Sequence, residues 1–242
     1  MKALILAAGR GKRLGDMTNG INKCMIEIRG KPLLEYNLDR VADCKNIEEI
    51  IIVVGYRAND IVDRYGLSYR NMPIKYVTQL KQHGLVHAIE CSTEALDGHD
   101  FFLLLGDEFL ENSRHVEMMG FFILNDVMGV CGILNQDTVS EISKTYSVLL
   151  YDDTIIRLIE KPKHPINNLQ GTGHCIFKNE MLNYIKYTPI HYLRKEKELP
   201  DFIQCAVDDG KIIKTFNICD AYNNINSESD MRLCGVISDA IK

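Results

Sequence analysis

The chain has 242 residues, 46% hydrophobic and 25% charged, which suffices for one large α/β domain or two intimate lobes around a sizeable core. Its net charge of −5 argues against general nucleic-acid binding, so any attraction for phosphate must be local. No apolar run reaches the roughly 18 residues of a membrane span, Gly9 and Arg10 cut the N-terminal run too short for a signal peptide, and eight scattered cysteines without C-x-x-C or Cys/His metal spacing read as free thiols of a reducing cytoplasm.

The apolar run Ala3–Ala8 reads as a buried strand. It feeds a loop carrying Gly9, Gly11 and Gly15, with Arg10, Lys12 and Arg13 between them, and Lys23 follows ten residues after Arg13. Glycines let a backbone approach a ligand and turn N–H groups toward an anion, and Arg and Lys add charge that suits phosphate oxygens. A helix is expected over Lys31–Asp43, with Pro32 in its first turn and Leu34, Leu38 and Val41 on one face. The apolar stretch Glu49–Gly55 reads as a strand buried on both faces. Helix Ala58–Tyr65, strand Ile74–Gln79, helix Gly84–Leu96 and strand Asp100–Leu105 follow. This alternation predicts a doubly wound α/β sheet.

Beyond Asp107 the order loosens. The pattern predicts a helix over Val116–Leu124, a strand over Met128–Leu134, a loop over Asn135–Lys144, and strands at Tyr146–Tyr151, Ile155–Glu160 and His174–Phe177. Helices over Met181–Tyr187 and Pro200–Asp208, a strand over Ile212–Ile218 and a last helix from Ser227, burying Met231, Cys234, Ile237 and Ile241, complete it. The expected organisation is a single domain over 1–242, with a nucleotide half at 1–108 and an acceptor half at 109–242 sharing one sheet.

Two familiar phosphate motifs are excluded. A P-loop needs Gly-Lys-Ser/Thr where this chain has Gly11-Lys12-Arg13. The dinucleotide fingerprint fails because its third glycine comes one residue late, at Gly15, and Gly55-Tyr56-Arg57 replaces the acidic residue ending the second strand. Gln79 ends a strand shortly before Gly84-Leu85 opens a helix, where a carboxamide can pair with the edge of a base. Asp107 follows an apolar strand and a glycine, and is a helix cap or a metal ligand. Glu160-Lys161 before Pro162 is a strand-end ion pair or a substrate contact. Cys24 reads as a packing residue in preference to a nucleophile.

Leu6-Ala7-Ala8-Gly9-Arg10-Gly11-Lys12-Arg13-Leu14, then Lys23, then Gly30-Lys31-Pro32-Leu33, resembles the signature of the sugar-phosphate nucleotidyltransferases, and most closely their short pyrimidine-specific members. The resemblance implies a Rossmann-like nucleotidyltransferase fold with a mostly parallel central sheet and a smaller acceptor-binding subregion. It also implies a reaction, in which a nucleoside triphosphate and a phosphorylated small molecule give a nucleoside-diphosphate product and pyrophosphate. Leu6, Ala7, Ala8, Gly9 and Gly11 would hold the nucleotide, with Gln79 and Gly84 reading its pyrimidine. Arg13 would meet the leaving pyrophosphate, Lys23 the reacting phosphates and Lys161 the acceptor phosphate. Asp107 would bind Mg²⁺ with a second oxygen ligand from Asn224 or Asn226, Asn224 standing where other members have Asp.

By the same resemblance Glu160, Glu198 and Thr172 would take acceptor hydroxyls, while Tyr146, Gly171, Thr172 and Gly173 would wall the acceptor. Ser147 replaces an expected glycine and Cys175 an expected tyrosine, departures confined to the acceptor half. The favoured reading is dTTP or UTP with a sugar-1-phosphate. The alternatives are a CTP-dependent enzyme for a small non-sugar phosphate or phosphonate, and an inactive nucleotide-binding regulatory module. No nucleic acid or membrane partner is expected, and assembly into a homo-oligomer is left open.

Overall fold

The computed structural model describes residues 1–11, 20–225 and 230. The first half contains β1 (Lys2–Leu6), a 3-10 turn at Lys23–Met25, the short pair β2 (Glu27–Ile28) and β3 (Lys31–Pro32), α1 (Leu33–Asp43), β4 (Glu49–Val54), α2 (Ala58–Tyr65), β5 (Ser68–Tyr69), β6 (Met72–Thr78), α3 (Leu85–Cys91), α4 (Thr93–Leu96) and β7 (Phe101–Leu105). The second half adds β8 (Glu108–Glu111), α5 (His115–Leu124), β9 (Gly129–Asn135), α6 (Val139–Ile142), β10 (Tyr146–Tyr151), β11 (Thr154–Glu160), β12 (Leu169–Phe177), a 3-10 stretch at Asn179–Tyr184, α7 (Leu199–Asp208), β13 (Ile213–Asn217) and β14 (Ala221–Asn224).

Ten strands form one sheet in the order β10-β11-β13-β9-β12-β7-β1-β4-β6-β5. It is parallel through β7-β1-β4-β6 and mixed beyond β7. Side-chain alternation sorts the core into two layers. Ile5, Ile50, Ile52 and Leu104 face Leu34 and Leu38 of α1 and Met118 and Phe122 of α5. Leu4, Ile51, Val53 and Leu103 face Val86 and Ile89 of α3 and Phe202 and Ile203 of α7. Each fully buried aliphatic side chain of this kind contributes about 1.5–3 kcal/mol. No helix among the described residues is long and apolar enough to cross a membrane, and the seven described cysteines are free thiols.

Several expected elements differ, for local reasons. Lys31 and Pro32 pair with Ile28 and Glu27 in β3, so α1 begins two residues later than expected, at Leu33. The helix expected over Gly84–Leu96 is broken at Ser92, whose hydroxyl donates to the Ala88 carbonyl at 3.0 Å and competes with the helical bonds. The stretch read as a loop over Asn135–Lys144 contains α6, and the helix expected over Met181–Tyr187 is the 3-10 stretch. β12 starts at Leu169, ahead of the glycines. The last helix expected from Ser227 lies, but for Asp230, outside the described residues.

The parallel register brings the C-terminal ends of β1, β4, β6 and β7 to one edge, since Leu6 aligns with both Val53 and Leu105, and Val54 with Thr78. The glycine loop, Gly55-Tyr56-Arg57, Gln79 and Asp107 leave the sheet there. On the other side, β10 pairs a second time with β12 through Tyr146 opposite Gly171. Gly171 is required at that point, because a Cβ there would fall 1.9 Å from the Tyr146 ring.

Candidate active site along the strand ends

A cleft of about 460 Å³ opens over the ends of the parallel strands, lined by Gly9, Gly11, Lys23, Gln79 and Gly84 among others. A second cavity of about 210 Å³ is lined by Tyr146, Glu160, Lys161, Thr172, Gly173 and Glu198. Leu85, Leu105, Asp107 and Asn224 line both, so the two spaces meet at Asp107.

Backbone bonds hold the loop after β1 in place. Ala7 N–H donates to the Val53 carbonyl at 2.8 Å, the Leu6 carbonyl accepts Gly106 N–H at 2.9 Å, and the Ala8 carbonyl accepts Tyr56 N–H at 3.2 Å and Gln82 Nε2 at 2.6 Å. Gly11 sits in the left-handed region at φ +60°, and a Cβ on it would press within 3.2 Å of Lys23 Cβ. Asn22, which sequence patterning did not single out, orders the chain's return. Its buried amide donates to the Ala7 and Tyr56 carbonyls at 3.1 and 2.7 Å and accepts Cys24 N–H at 2.9 Å. That clamp delivers Lys23 to the cleft floor, where its Nζ lies 2.6 Å from Asp107 Oδ2. Cys24 packs below, its thiol pushed up by burial and by the Asp107 charge, which suits a packing role.

Asp107 is joined to Asn224 by a two-stranded ribbon. β8 and β14 run antiparallel with Asn224 opposite Glu108, and Ile225 N–H donates to the Asp107 carbonyl at 3.2 Å. Two oxygen-bearing side chains therefore face the same junction, and among the described residues no group of three or more His, Cys, Asp or Glu could hold a metal. That donor set fits a hard, oxygen-preferring cation that keeps most of its ligands as water or phosphate. Arg13 and Asn226 lie outside the described residues.

Behind Asp107 lies a buried polar cluster that the sequence did not reveal. Glu108 accepts hydrogen bonds from Tyr222 OH at 2.6 Å and Gly173 N–H at 2.9 Å, and its Oε2 lies 3.4 Å from His174 Nε2. His174 Nδ1 is 2.8 Å from His115 Nε2. Burial pushes the Glu108 carboxyl up to about 8 and the His174 imidazole down to about 3. From the ordinary carboxyl value of 4.5 up to 8 the folded chain holds a proton that the unfolded chain has released, so stability falls as pH rises. From the ordinary imidazole value of 6.5 down to 3 the unfolded chain takes a proton that the folded chain refuses, so stability falls as pH drops. The two slopes oppose each other between 4.5 and 6.5, leaving the alkaline limb to Glu108 alone. Melting at pH 6.5 and pH 8 should accordingly show a decline in the wild type that Glu108→Gln lacks; an equal decline in both would place its origin elsewhere.

In the second cavity Lys161 stands in the left-handed region at φ +43°, its N–H bonded to the Thr145 carbonyl at 2.6 Å and its Nζ 2.9 Å from Glu160. Burial pushes the Glu160 carboxyl up, opposed by the Lys161 charge. Arg194, a residue that patterning missed, pairs with Glu198 and lies 3.6 Å from Glu160. Lys144 also lines this cavity. The Tyr146 hydroxyl donates to the Thr172 carbonyl at 2.8 Å and the Thr172 hydroxyl to the Gly132 carbonyl at 3.0 Å, so these two residues wall the space while their hydroxyls are spent inside the protein.

A family model described as nucleotidyl transferase matches residues 2–222. UTP–glucose-1-phosphate uridylyltransferase AglF of Haloferax volcanii is 31% identical over 228 residues, covering 90% of this chain and 88% of that protein. The bifunctional protein GlmU of Methanococcus maripaludis is 31% identical over 215 residues, 88% of this chain and 48% of GlmU, so the chain spans about half of that relative's length. A crystal structure of UDP-glucose pyrophosphorylase complexed with UDP-glucose shares the fold, with a TM-score of 0.84 at 21% identity over 96% of each chain.

Proposed function

We infer that this chain, which belongs to the nucleotidyl transferase family, joins the nucleotidyl group of UTP or dTTP to a sugar-1-phosphate and releases pyrophosphate. The observation that carries the reading is the junction of the two cavities. A triphosphate laid along the glycine loop would bring its α-phosphorus to Lys23 and Asp107, where the acceptor cavity opens.

The reaction needs no general base. A phosphate monoester has its second pKa near 6, so its oxygen is already an anion at neutral pH. The site must supply in-line placement and neutralisation of charge. Lys23, buried to 5% exposure, would exchange Asp107 for phosphate oxygens, a move that suits a compact ammonium on a flexible stem. Lys161 would hold the acceptor phosphate, and Arg13 is assigned to the leaving pyrophosphate on sequence grounds. Asp107 and Asn224 would hold Mg²⁺, with Asn226 as the other candidate; when bound, the ion neutralises nucleotide oxygens as a Lewis acid. Two side-chain oxygens with a single charge imply that the metal arrives on the nucleotide.

For the acceptor, Glu160 and Glu198 supply carboxylates for hydroxyl groups, held in place by Lys161 and Arg194. A choline-like cation would instead need several aromatic faces, and among the described residues lining the acceptor cavity Tyr146 is the one aromatic side chain. The uridylyltransferase relative supports uracil. Pyrophosphate release should be measured for four nucleoside triphosphates against a panel of phosphorylated acceptors, with and without a chelator. The expected result is Mg²⁺-dependent release with UTP or dTTP and a sugar-1-phosphate. Release confined to CTP with a non-sugar acceptor would replace the substrates, and no release from any pair, with nucleotide binding intact, would favour a regulatory module.

A further inference from the structure

Gln79, at the end of β6, is buried to 6% exposure. Its Nε2 donates to the Gly84 carbonyl at 3.0 Å and lies 3.0 Å from Nδ1 of His87, one turn into α3. A primary amide has two hydrogens on nitrogen and none on oxygen. The Gly84 carbonyl only accepts, so the amide nitrogen must face it, and the opposite orientation would set oxygen against oxygen. The second hydrogen then goes to His87 Nδ1, which must be the unprotonated nitrogen of a neutral ring. With both donors spent inside the protein, Gln79 has its oxygen left for a ligand.

We propose that His87 is a specificity-determining positioning residue, which locks the Gln79 amide so that its oxygen faces the base and selects a base bearing a hydrogen on N3. The inference rests on the reading of Gln79 as the base contact and deepens it. Uracil and thymine carry that hydrogen. Cytosine has a bare N3 and offers a donor only at its exocyclic amine, displaced along the ring edge. Without the His87 acceptor the amide loses one of its two anchors, and its nitrogen becomes available to bases of the opposite pattern.

His87→Asn and His87→Leu test this. The Asn carbonyl oxygen reaches nearly the position of Nδ1 and can accept the same hydrogen; Leu fills the space and cannot. With UTP, CTP and N3-methyl-UTP compared at saturating acceptor, wild type and His87→Asn should prefer UTP and reject N3-methyl-UTP. In His87→Leu the KM for UTP should rise about tenfold and the UTP:CTP ratio of kcat/KM should fall by about tenfold, the scale of one hydrogen bond. Its kcat should change little, because the reacting phosphates lie elsewhere. The proposal is overturned if His87→Leu keeps the wild-type ratio, if His87→Asn falls as far as His87→Leu, or if wild type accepts N3-methyl-UTP. Calorimetric binding of the same nucleotides gives the same comparison in the absence of turnover, so failure of the reaction and failure of the lock are separable.

Discussion

Asp107→Ala should lower pyrophosphate release by about 10²–10³-fold or more, the scale of removing a group that organises charge at a reacting phosphorus. Asp107 lines both cavities, pairs with Lys23 at 2.6 Å and stands beside the ribbon that brings Asn224. Its own side chain is 28% exposed but that of Lys23 is 6%, so the substitution leaves a nearly buried ammonium without this carboxylate and a loss of stability should accompany the loss of rate. The bond from Ile225 N–H to its carbonyl is backbone and survives the substitution. The comparison needs release rates alongside thermal melting. Near-normal release from a folded Asp107→Ala would move the reacting centre away from this junction.

Lys161→Ala should act on the other substrate. The side chain lines the second cavity, and the backbone holds a left-handed conformation that costs about 1–3 kcal/mol for a residue other than glycine. Ala pays the same backbone cost, so the fold should be little changed, whereas the acceptor phosphate loses a cation. The kcat/KM for the acceptor should fall about 10²-fold, with the Kd of UTP within about twofold of wild type. A matched loss in nucleotide binding would place Lys161 on the triphosphate instead.

How far the sequence reveals this site depends on the range of the contacts. The run of Ala3–Ala8 into Gly9 and Gly11, the strand Glu49–Val54 and helix Ala58–Tyr65 are local patterns of apolar periodicity and turn residues, and they stand close to where patterning puts them. Lys23, Gln79 and Asp107 could be singled out because each sits at a fixed offset from such a pattern. Asn22 could not, since a buried asparagine in a polar stretch carries no periodic signal and its meaning comes from the Ala7 and Tyr56 carbonyls it meets. The ribbon of β8 with β14 joins segments more than 100 residues apart, each only four residues long. Glu108 was hidden for the same reason, since its partners come from β12 and β14. Arg194 lies in a run of mixed charges, where nothing distinguishes the one guanidinium that folds back onto Glu160 and Glu198. Thr172 shows the converse: the resemblance singles it out for acceptor hydroxyls, and it lines the second cavity, but its own hydroxyl is turned to the Gly132 carbonyl.

In the proposed reaction an acceptor phosphate attacks the α-phosphorus of a nucleotide lying across Lys23 and Asp107, and UTP carrying phosphorus tracer at either the α or the γ position, incubated with enzyme, Mg²⁺ and sugar-1-phosphate, reports where that attack falls. The α-label should appear in a nucleoside-diphosphate sugar and the γ-label in pyrophosphate, in equal amounts. Transfer of γ-label to the acceptor, or its appearance as orthophosphate, would contradict it.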